Sequence, residues 1–288
     1  MRFAKWQGLG NDYLIVEASA HPGSLTSLAI GALCDRHLGV GADGILLHEQ
    51  PSGAVPGAVA RMRVFNPDGG EPEMCGNGIR MFARYLRQTG AVTGDEFVVE
   101  TLAGPIKPRI FADGLVRVDM GSARFHSANI DASVRGSGGD TDVVGGTLEA
   151  GGATYRFTFV DVGNPHCVVV VDDPALFDVA GVGSLVERHP YFPNRVNVEF
   201  ICAEADGSIR MRVWERGVGE TLACGTGATA VGAAAVRMAL AKSPVLVHLV
   251  GGDLRIDVED EGGVFMTGPA EEVFTGSLSP DLLARAGW

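Results

Sequence analysis

The sequence predicts an α+β fold made of two similar halves. Short strand-like runs outnumber helices, and many of the connections between them are short, which favours mixed α+β domains over a doubly wound parallel fold. A cysteine-containing segment also occurs twice along the chain. The length of 288 residues suits two domains of middling size better than one small domain.

The repeat is clearest around Cys75 and Cys224, which lie 149 residues apart. The segment RVFNPDGGEPEMCGNG starts at Arg63, and the similar segment RVWERGVGETLACGTG starts at Arg212. In both copies the cysteine follows the arginine by twelve positions without a gap, and an acidic residue lies four positions before the cysteine. The two segments therefore predict equivalent local structures in the two halves.

Two weaker sequence similarities flank this segment, in the same order in both halves. GNDYLIVE begins at Gly10 and GNPHCVVV at Gly163, an offset of 153, and the segments VDMG and FMTG end 147 residues apart. The halves then meet near residues 122–153, a glycine-rich stretch that we expect to form a linker or an elaborated hairpin.

Each half contains one clear helix directly after the repeated cysteine. In the first half the helix begins at Gly76–Asn77 and ends at Gly90, and its apolar residues recur at helical spacing. In the second half it begins at Gly225–Thr226 and is apolar almost all round, which predicts a helix buried inside a sheet. Shorter helices are predicted near Leu25–His37 and Pro174–Glu187.

The remaining apolar runs predict strands because they are short and rich in β-branched and aromatic residues. In chain order they are Leu14–Glu17, Ala60–Phe65, Glu96–Glu100, Leu115–Met120, Tyr155–Val160, Cys167–Val171, Arg195–Ile201, Ile209–Trp214, Val245–Leu249, Leu254–Val258 and Val264–Thr267. Both halves thus combine several strands with few helices.

The composition argues against several kinds of partner and compartment. Lys and Arg total 23 and Asp and Glu total 35, for a formal charge of −12, so the chain lacks the electrostatic footprint of a protein that binds nucleic acid or an anionic membrane. The five cysteines are odd in number and are not spaced as CxxC, which argues against a disulfide framework and a zinc site. Free thiols, and an N terminus without a signal-peptide core, predict a cytoplasmic protein.

The repeated cysteines are the candidate reactive groups. Each stands at the predicted N terminus of a helix, where N–H groups and a partial positive charge favour thiolate over thiol and form a cradle for an anion such as a carboxylate. A thiol beside a bound carboxylate can act as a base on the adjacent carbon. Two such units related by a pseudo-twofold axis would present thiols to opposite faces of one ligand, which predicts inversion of a stereocentre. Cys34, Cys167 and Cys202 lack this context and are predicted to be core residues.

The chain resembles the diaminopimelate epimerase family along nearly its whole length. The similar motifs, in family order, are GLGNDY (8–13), GVGADG (39–44), FNPDGG (65–70), MCGNGIR (74–80), GNPHCV (163–168), NRVN (194–197) and VWERGVGETLACGTGA (213–228). The resemblance implies two homologous domains, each a mixed β-sheet wrapped around a central helix, with the active site in the cleft between them. It implies an N-terminal domain of residues 1–124 plus 269–288, which carries Cys75, and a C-terminal domain of residues 125–268, which carries Cys224.

The resemblance also implies roles for individual residues. Cys75 and Cys224 would be the two acid/base cysteines, with His166 paired with the first thiol and Glu215 near the second. The residues that would hold the α-carboxylate at the helix starts are Gly76, Asn77, Gly225 and Thr226. The residues that would bind the ligand elsewhere, several of them at its distal end, are Asn11, Asn66, Asn164, Asn197, Glu215 and Arg216.

The activity implied by the resemblance is epimerisation of LL- and meso-2,6-diaminopimelate by two-base proton transfer at Cα, in the synthesis of lysine and peptidoglycan precursors. No cofactor and no metal are expected, the partner is a small amino acid, and the chain could form a homodimer. A related two-cysteine racemase or epimerase acting on proline or hydroxyproline stays an alternative, as does a non-enzymatic amino-acid-binding protein on the same scaffold. The ERG and NRVN segments favour a long bis-amino acid, and the retained cysteines, His166 and Glu215 favour an enzyme.

Two departures from the family pattern bear on ligand binding. Gly44 stands where many family members have Gln, so a ligand contact at that position would be lost or made by the backbone. Pro67 stiffens the loop after Asn66.

Overall fold

The polypeptide forms two units in the computed structural model, which describes residues 1–19, 23–134 and 142–288. Unit 1 comprises Met1–Val118 together with Gly268–Trp288, and unit 2 comprises Asp119–Thr267. The boundaries expected from the sequence, after residues 124 and 268, lie six residues and one residue further along the chain. Unit 1 carries Cys75 and unit 2 carries Cys224.

The helices and strands of the described residues follow one another in a fixed order. They are β1 (Arg2–Gly8), β2 (Asn11–Glu17), α1 (Ser27–Cys34), β3 (Gly44–Glu49), β4 (Ala58–Phe65), α2 (Gly76–Gln88), β5 (Val98–Thr101), β6 (Gly104–Ile106), β7 (Arg109–Ile110), β8 (Val116–Ser122), β9 (Gly146–Ala150), β10 (Ala153–Asp161), β11 (Pro165–Val170), α3 (Val179–Glu187), β12 (Asn197–Ala203), β13 (Ile209–Glu215), β14 (Gly219–Thr221), α4 (Gly225–Arg237), β15 (Val245–Leu249), β16 (Gly252–Val258), β17 (Gly263–Gly268), β18 (Glu271–Ser277) and α5 (Pro280–Arg285). The two helices predicted after the cysteines are confirmed as α2 and α4, and the two shorter predicted helices are confirmed as α1 and α3.

The sheet of unit 1 is mixed and has the strand order β18-β1-β2-β3-β4-β5-β6. Strands β2 and β3 are parallel, as are β4 and β5, and the other neighbours are antiparallel. Because β18 pairs with β1, the C-terminal segment returns to the unit that contains the N terminus. Strands β7 and β8 form an antiparallel hairpin.

Unit 2 repeats this arrangement. Its strands follow the order β17-β16-β15-β13-β12-β11-β10-β9, and β14 pairs with β13. Strands β11 and β12 are parallel, as are β13 and β15, whereas β10 and β11, β12 and β13, and β15 and β16 are antiparallel. The succession of parallel and antiparallel pairs from β10 to β16 is that of β1 to β6, which confirms the predicted α+β fold built on an internal repeat.

Each sheet curves around one helix. In unit 1, α2 packs against β1, β2, β4 and β18, and in unit 2, α4 packs against β10, β11, β12, β13, β15 and β16. The small residues of α4 permit this close approach, since a Cβ atom at Gly232 would lie only 2.5 Å from Cγ2 of Ile256. The other faces are covered by α1 and by α3, which pack against β3 and β12 respectively.

The strands that the sequence did not predict have identifiable reasons for being missed. Strand β3 has the sequence GILLHE, in which Ile45 is the one β-branched residue, so it lacks the β-branched and aromatic composition from which the other strands are predicted. Strand β1 carries Lys5, whose charge is compensated by Asp12 at 2.8 Å. Strand β18, an exposed edge strand, and helix α5 were also missed. The sequence likewise did not predict four short strands of two to five residues, β6, β7, β9 and β14.

The glycine-rich stretch near residues 122–153 is described only in part, because residues 135–141 lie outside the described residues. Its last portion is a hairpin in which Ala150 of β9 pairs with Ala153 of β10. Among the helices of the described residues, none combines the length and the apolar character that a membrane crossing requires.

Candidate active site

Cys75 and Cys224 occupy the same structural position in their units. Each is the N-cap residue of its helix, with an extended backbone conformation. The Sγ atom of Cys75 accepts a hydrogen bond from the N–H of Gly78 at 3.3 Å, and that of Cys224 accepts one from the N–H of Gly227 at 3.4 Å. In each unit, one N–H group of the first helical turn therefore points toward the thiol.

The repeated arginine and glutamate have a structural role in both units. The Nε atom of Arg63 donates to Oε1 of Glu71 at 2.6 Å, and that of Arg212 donates to Oε1 of Glu220 at 2.7 Å. Each pair joins a strand to the segment that leads into the cysteine. A bidentate or charge-assisted bond of this kind fixes the approach of the chain to the helix start.

In unit 1, polar side chains from β2 and α2 meet beside Cys75. Asn77 donates from Nδ2 to Oδ1 of Asn11 at 3.2 Å, and Asn11 donates from Nδ2 to Oδ2 of Asp43 at 2.9 Å. The guanidinium of the completely buried Arg80 donates to Oδ1 of Asn77 at 2.9 Å. This chain of hydrogen bonds fixes the orientation of two predicted ligand-binding residues, Asn11 and Asn77.

The hydroxyl group of Tyr13 also lies beside Cys75. Its oxygen lies 3.6 Å from Sγ of Cys75, and its side chain is buried. Its ring fills the space beside Gly44, where an added Cβ atom would lie 2.5 Å from Cε1 of Tyr13 and 2.4 Å from the backbone oxygen of Phe65. A larger residue at position 44 would therefore require Tyr13 and the neighbouring strand to move.

In unit 2, the ends of β11 and β12 meet the start of α4. Asn164 donates from Nδ2 to Oγ1 of Thr226 at 3.3 Å, and Oγ1 of Thr226 lies 3.5 Å from Sγ of Cys224. The ring of His166 lies between Asn164 and Glu199, with Nε2 at 3.0 Å from Oδ1 of Asn164 and Nδ1 at 2.6 Å from Oε1 of Glu199. His166 and Glu199 are completely buried.

Asn197, Arg216 and Glu215 lie near this cluster and are connected by hydrogen bonds. Asn197 donates from Nδ2 to the backbone oxygen of Pro165 at 3.0 Å and accepts the backbone N–H of Arg216 at 2.9 Å. The exposed guanidinium of Arg216 donates to the backbone oxygen of Asn194 at 3.2 Å. Glu215 accepts hydrogen bonds from the hydroxyl of Thr221 and from Cys224.

Burial changes the acidity of the two thiols in the direction opposite to the one the helix termini favour. Desolvation raises the pKa of Cys75, and its hydrogen bonds with Gly78 and Tyr13 only partly offset that rise. Burial raises the pKa of Cys224 well above its ordinary value, and the nearby carboxylates of Glu215 and Glu199 act in the same direction. Desolvation therefore outweighs the influence of the helix N terminus, which by itself favours the thiolate.

Glu215 shows the same effect of its surroundings. Burial raises the pKa of its carboxyl group, and the hydrogen bonds from Thr221 and Cys224 oppose that change. A carboxyl group whose pKa is raised toward neutral pH, and which contacts a thiol, can exchange a proton with that thiol.

The side chains of Asn66 and the other three cysteines lie outside the hydrogen-bonded clusters around Cys75 and Cys224, in the part of the chain that the structure describes. Asn66 is exposed at the start of a tight loop, in which its backbone N–H donates to the oxygen of Gly70 at 2.8 Å. Cys34 and Cys167 are buried core residues, as predicted, whereas Cys202 is half-buried on β12. All five thiols are free in the structure.

Three residues of these clusters are not among those predicted from the sequence: Tyr13, Arg80 and Glu199. Two of them could have been found by comparing the repeats. The offset of 153 that relates GNDY to GNPH makes Tyr13 equivalent to His166, and Leu46 equivalent to Glu199. In the described parts of the chain, no group of three or more His, Cys, Asp or Glu side chains is arranged to hold a metal ion.

Comparison with known proteins gives one family for most of the chain. The family model described as diaminopimelate epimerase matches residues 3–126 and 158–273. The chain is 48% identical over 290 residues to the diaminopimelate epimerase of Moorella thermoacetica, covering 98% of this chain and 100% of that one. It is 49% identical over 290 residues to that of Desulforudis audaxviator, covering 96% and 98%.

Solved structures agree at the level of the fold. The phenazine biosynthesis protein of the PhzF family from Bacillus anthracis superposes with a TM-score of 0.70 at 17% identity, covering 97% of this chain and 99% of that one. The family matches cover the glycine-flanked cysteines of both units, and the predicted resemblance is confirmed. The chain belongs to the diaminopimelate epimerase family.

Proposed function

We propose that this chain interconverts LL- and meso-2,6-diaminopimelate by moving one proton at an α-carbon, with Cys75 and Cys224 as acid and base. The observation that carries the proposal is the matched placement of the two thiols as N-cap residues in the two repeated units. The names of the relatives support diaminopimelate as the substrate. We place the reaction in the synthesis of lysine and peptidoglycan precursors.

Inversion of a carbon centre needs two groups that act on opposite faces. One thiolate takes the α-proton and its electron pair stays on the substrate as an enolate-like anion; the other thiol then returns a proton to the opposite face. The two cysteines exchange their protonation states in each turnover. Because substrate and product differ only in the configuration of one carbon, the same pair of cysteines catalyses the reaction in both directions.

The raised pKa of the two thiols suits this chemistry. A thiolate formed in a desolvated site is a stronger base than one in water, and the α-proton of an amino acid is only weakly acidic. The positive charge of the substrate's α-ammonium group favours the thiolate once the substrate is bound. We assign Glu215 and His166 as the groups that exchange protons with the thiols, Glu215 with Cys224 and His166 with Cys75.

The helix starts provide the binding site for the α-carboxylate. Gly76 and Asn77, and Gly225 and Thr226, belong to the first turn of a helix, where an N–H group has no carbonyl partner one turn earlier. The same donors stabilise the negative charge that spreads onto the carboxylate when the α-proton leaves. The two glycines let a ligand approach the backbone closely.

The remaining predicted residues bind the rest of the substrate in this proposal. Asn11, Asn66, Asn164 and Asn197 offer amide donors and acceptors, and the guanidinium of Arg216 can hold the distal carboxylate through two parallel hydrogen bonds. These chemical steps require no electron transfer, so the proposal includes no cofactor.

We also propose that the protein acts in the cytoplasm as a homodimer. Its five free thiols suit a reducing compartment. Strand β18 pairs with β1 on one side and forms the edge of the unit 1 sheet, where Val273 is 51% and Phe274 is 44% exposed. Pairing of two copies through β18 would cover these side chains, so Phe274→Glu should convert a dimer to a monomer in sedimentation velocity. A native chain that sediments as a monomer would contradict the dimer.

Incubation with LL-diaminopimelate in heavy water tests the proposed activity. We expect meso-diaminopimelate to appear with deuterium at the inverted Cα, and label to enter the product faster than it enters the remaining substrate at early times. Exchange without inversion, or no reaction with this substrate while proline or hydroxyproline is racemised, would overturn the proposal.

A further inference from the structure

Strand β12 of unit 2 carries a carboxylate where the matching strand of unit 1 carries an apolar side chain. Strands β2 and β3 are parallel, with Ile15 opposite Leu46, and β11 and β12 are parallel, with Val168 opposite Glu199. Leu46 and Glu199 are 153 residues apart, which is also the offset between GNDY and GNPH. The two side chains therefore occupy equivalent places in the repeat.

The two side chains also face equivalent points on the helices. A Cβ atom added at Gly78 would lie 3.0 Å from Cδ2 of Leu46, and one added at Gly227 would lie 2.8 Å from Oε1 of Glu199. Leucine satisfies the packing at this place in unit 1. The fold by itself thus gives no reason for a charged group at the same place in unit 2.

Burial of the Glu199 carboxylate costs free energy of folding. The side chain is 0% exposed, and its Oε2 atom is buried without a hydrogen-bond partner among the described residues. Removal of a carboxylate from water is unfavourable unless a paired charge or hydrogen bonds compensate for it. The compensation available here is the contact of Oε1 with Nδ1 of His166, at 2.6 Å.

The surroundings of His166 indicate what this contact does. With the Asn164 amide oriented as in the structure, both ring nitrogens face oxygen acceptors, Oε1 of Glu199 and Oδ1 of Asn164. A neutral imidazole donates from only one nitrogen, and a ring that donates from both carries a positive charge. An adjacent carboxylate supplies the opposite charge and fixes the orientation of the ring, as second partners of functional histidines do.

We propose that Glu199 is a positioning residue for His166: its carboxylate accepts the Nδ1–H, fixes the orientation of the ring and balances the charge of a proton held on Nε2. In unit 1 the place equivalent to His166 is taken by Tyr13, whose neutral side chain needs no such charge. The effect of Glu199 on turnover rests on the proposed function, because it acts through the proton that His166 exchanges.

The state of the ring can be measured without any assay of activity. Long-range proton–nitrogen NMR spectra of the ¹⁵N-histidine-labelled full chain distinguish protonated from unprotonated ring nitrogens, and His166→Gln assigns the signals. In the native chain we expect both nitrogens of His166 to be protonated. In Glu199→Gln, whose amide keeps the shape but not the charge, we expect Nε2 to lose its proton, and in Glu199→Leu, which copies unit 1, we expect the Nδ1–H signal to change as well.

Kinetics with LL-diaminopimelate supply the second measurement. We expect Glu199→Gln to lower kcat by roughly 10-fold or more with KM changed little, since a positioned acid or base contributes about 10²–10⁴-fold. Glu149→Gln makes the same chemical change at an exposed carboxylate on β9 and should leave kcat unchanged. If Glu199→Leu fails to fold, the near-isosteric Gln variant decides alone.

The two measurements separate the possible failures. If the His166 signals are the same in the native chain and in Glu199→Gln, the positioning role is wrong, whatever happens to kcat. If the signals change but kcat does not, the link to proton transfer is wrong. If the native chain does not epimerise diaminopimelate, the proposed function fails, while the NMR comparison still decides whether Glu199 sets the state of His166.

Discussion

The Nε atom of Arg80, in the middle of α2, donates to the backbone oxygen of Pro269 at 3.1 Å. Its Nη1 atom donates to the backbone oxygen of Gly76 at 3.1 Å, and Nη2 reaches Oδ1 of Asn77. Burial lowers the pKa of Arg80 to about 10, so the guanidinium stays charged at neutral pH. One buried side chain thus holds the first turn of α2, which carries the Cys75 cradle, against the C-terminal segment of the chain.

Arg80→Lys should therefore destabilise the protein. An ammonium group cannot match the planar arrangement of guanidinium donors, and the oxygens it fails to reach stay buried without a partner. We expect a loss of about 1–3 kcal/mol in the free energy of unfolding, measured by urea denaturation. Arg87→Lys, on an exposed face of the same helix, should change it by less than about 0.5 kcal/mol. Equal effects of the two changes would show that Arg80 has no special structural role.

Gly44→Ala should be destabilising because the added methyl group has no space. Its Cβ atom would meet the backbone of Phe65 and the ring of Tyr13 at distances well below contact. Overpacking of this kind costs about 1–3 kcal/mol, and we expect the thermal midpoint to fall accordingly. Gly94→Ala is the matched control, since its nearest atom, the backbone oxygen of Glu96, would lie 3.5 Å away. A Gly44→Ala variant as stable as the control would mean that Tyr13 moves aside without cost.

Cys75→Ala and Cys224→Ala should each abolish epimerisation while the far-ultraviolet circular dichroism spectrum stays native. Inversion needs both an acid and a base, so either thiol alone is insufficient. The corresponding serine variants should retain weak activity at most, because a hydroxyl group is far less acidic than a thiol. Cys202→Ala, outside both clusters, should keep normal turnover. Near-normal turnover in either alanine variant at positions 75 or 224 would rule out the two-base mechanism.

Arg216→Lys tests the assignment of the distal carboxylate. Lysine cannot form two parallel hydrogen bonds to a carboxylate, so we expect turnover of diaminopimelate to weaken without any gain on short amino acids such as alanine. Steady-state kinetics on both substrates measure this change. The control is Arg210→Lys, at an exposed arginine that pairs with Glu204 on the same unit. Kinetics identical to the native chain in Arg216→Lys would remove Arg216 from the binding site.

The sequence predicts those parts of the fold that local patterns determine. The helices α2 and α4 follow from a cysteine, adjacent glycines and apolar spacing, and the repeat predicts that the same mixed sheet forms twice. Strand β3 was missed because its sequence, GILLHE, contains only one β-branched residue, whereas the equally buried strand β11 contains three valines and was predicted. Strand β18 was missed because its pairing with β1 joins opposite ends of the chain.

The candidate site likewise contains residues that the sequence predicts and properties that it does not. The cysteines, His166 and Glu215 stand in motifs and can be named from the sequence, and the helix starts predict the backbone donors around them. The acidity of the thiols cannot be predicted in this way, since it depends on how completely Cys224 is buried and on the nearby carboxylate of Glu199. Glu199 lies inside an ordinary strand run, and its significance emerges only when its place is compared with that of Leu46.

The return of β18 to β1 governs the order in which the molecule can be completed during synthesis. Ribosomes add about 5–20 residues per second, so the roughly 260 residues between β1 and β18 take about 13–50 s to appear. The residues of unit 2 are contiguous and can fold as soon as they emerge, whereas unit 1, although begun first, receives its edge strand last. Nascent chains, and any chain truncated before Glu271, therefore present the backbone of Arg2–Gly8 without its outer partner, as a site for chaperone binding or for association between chains.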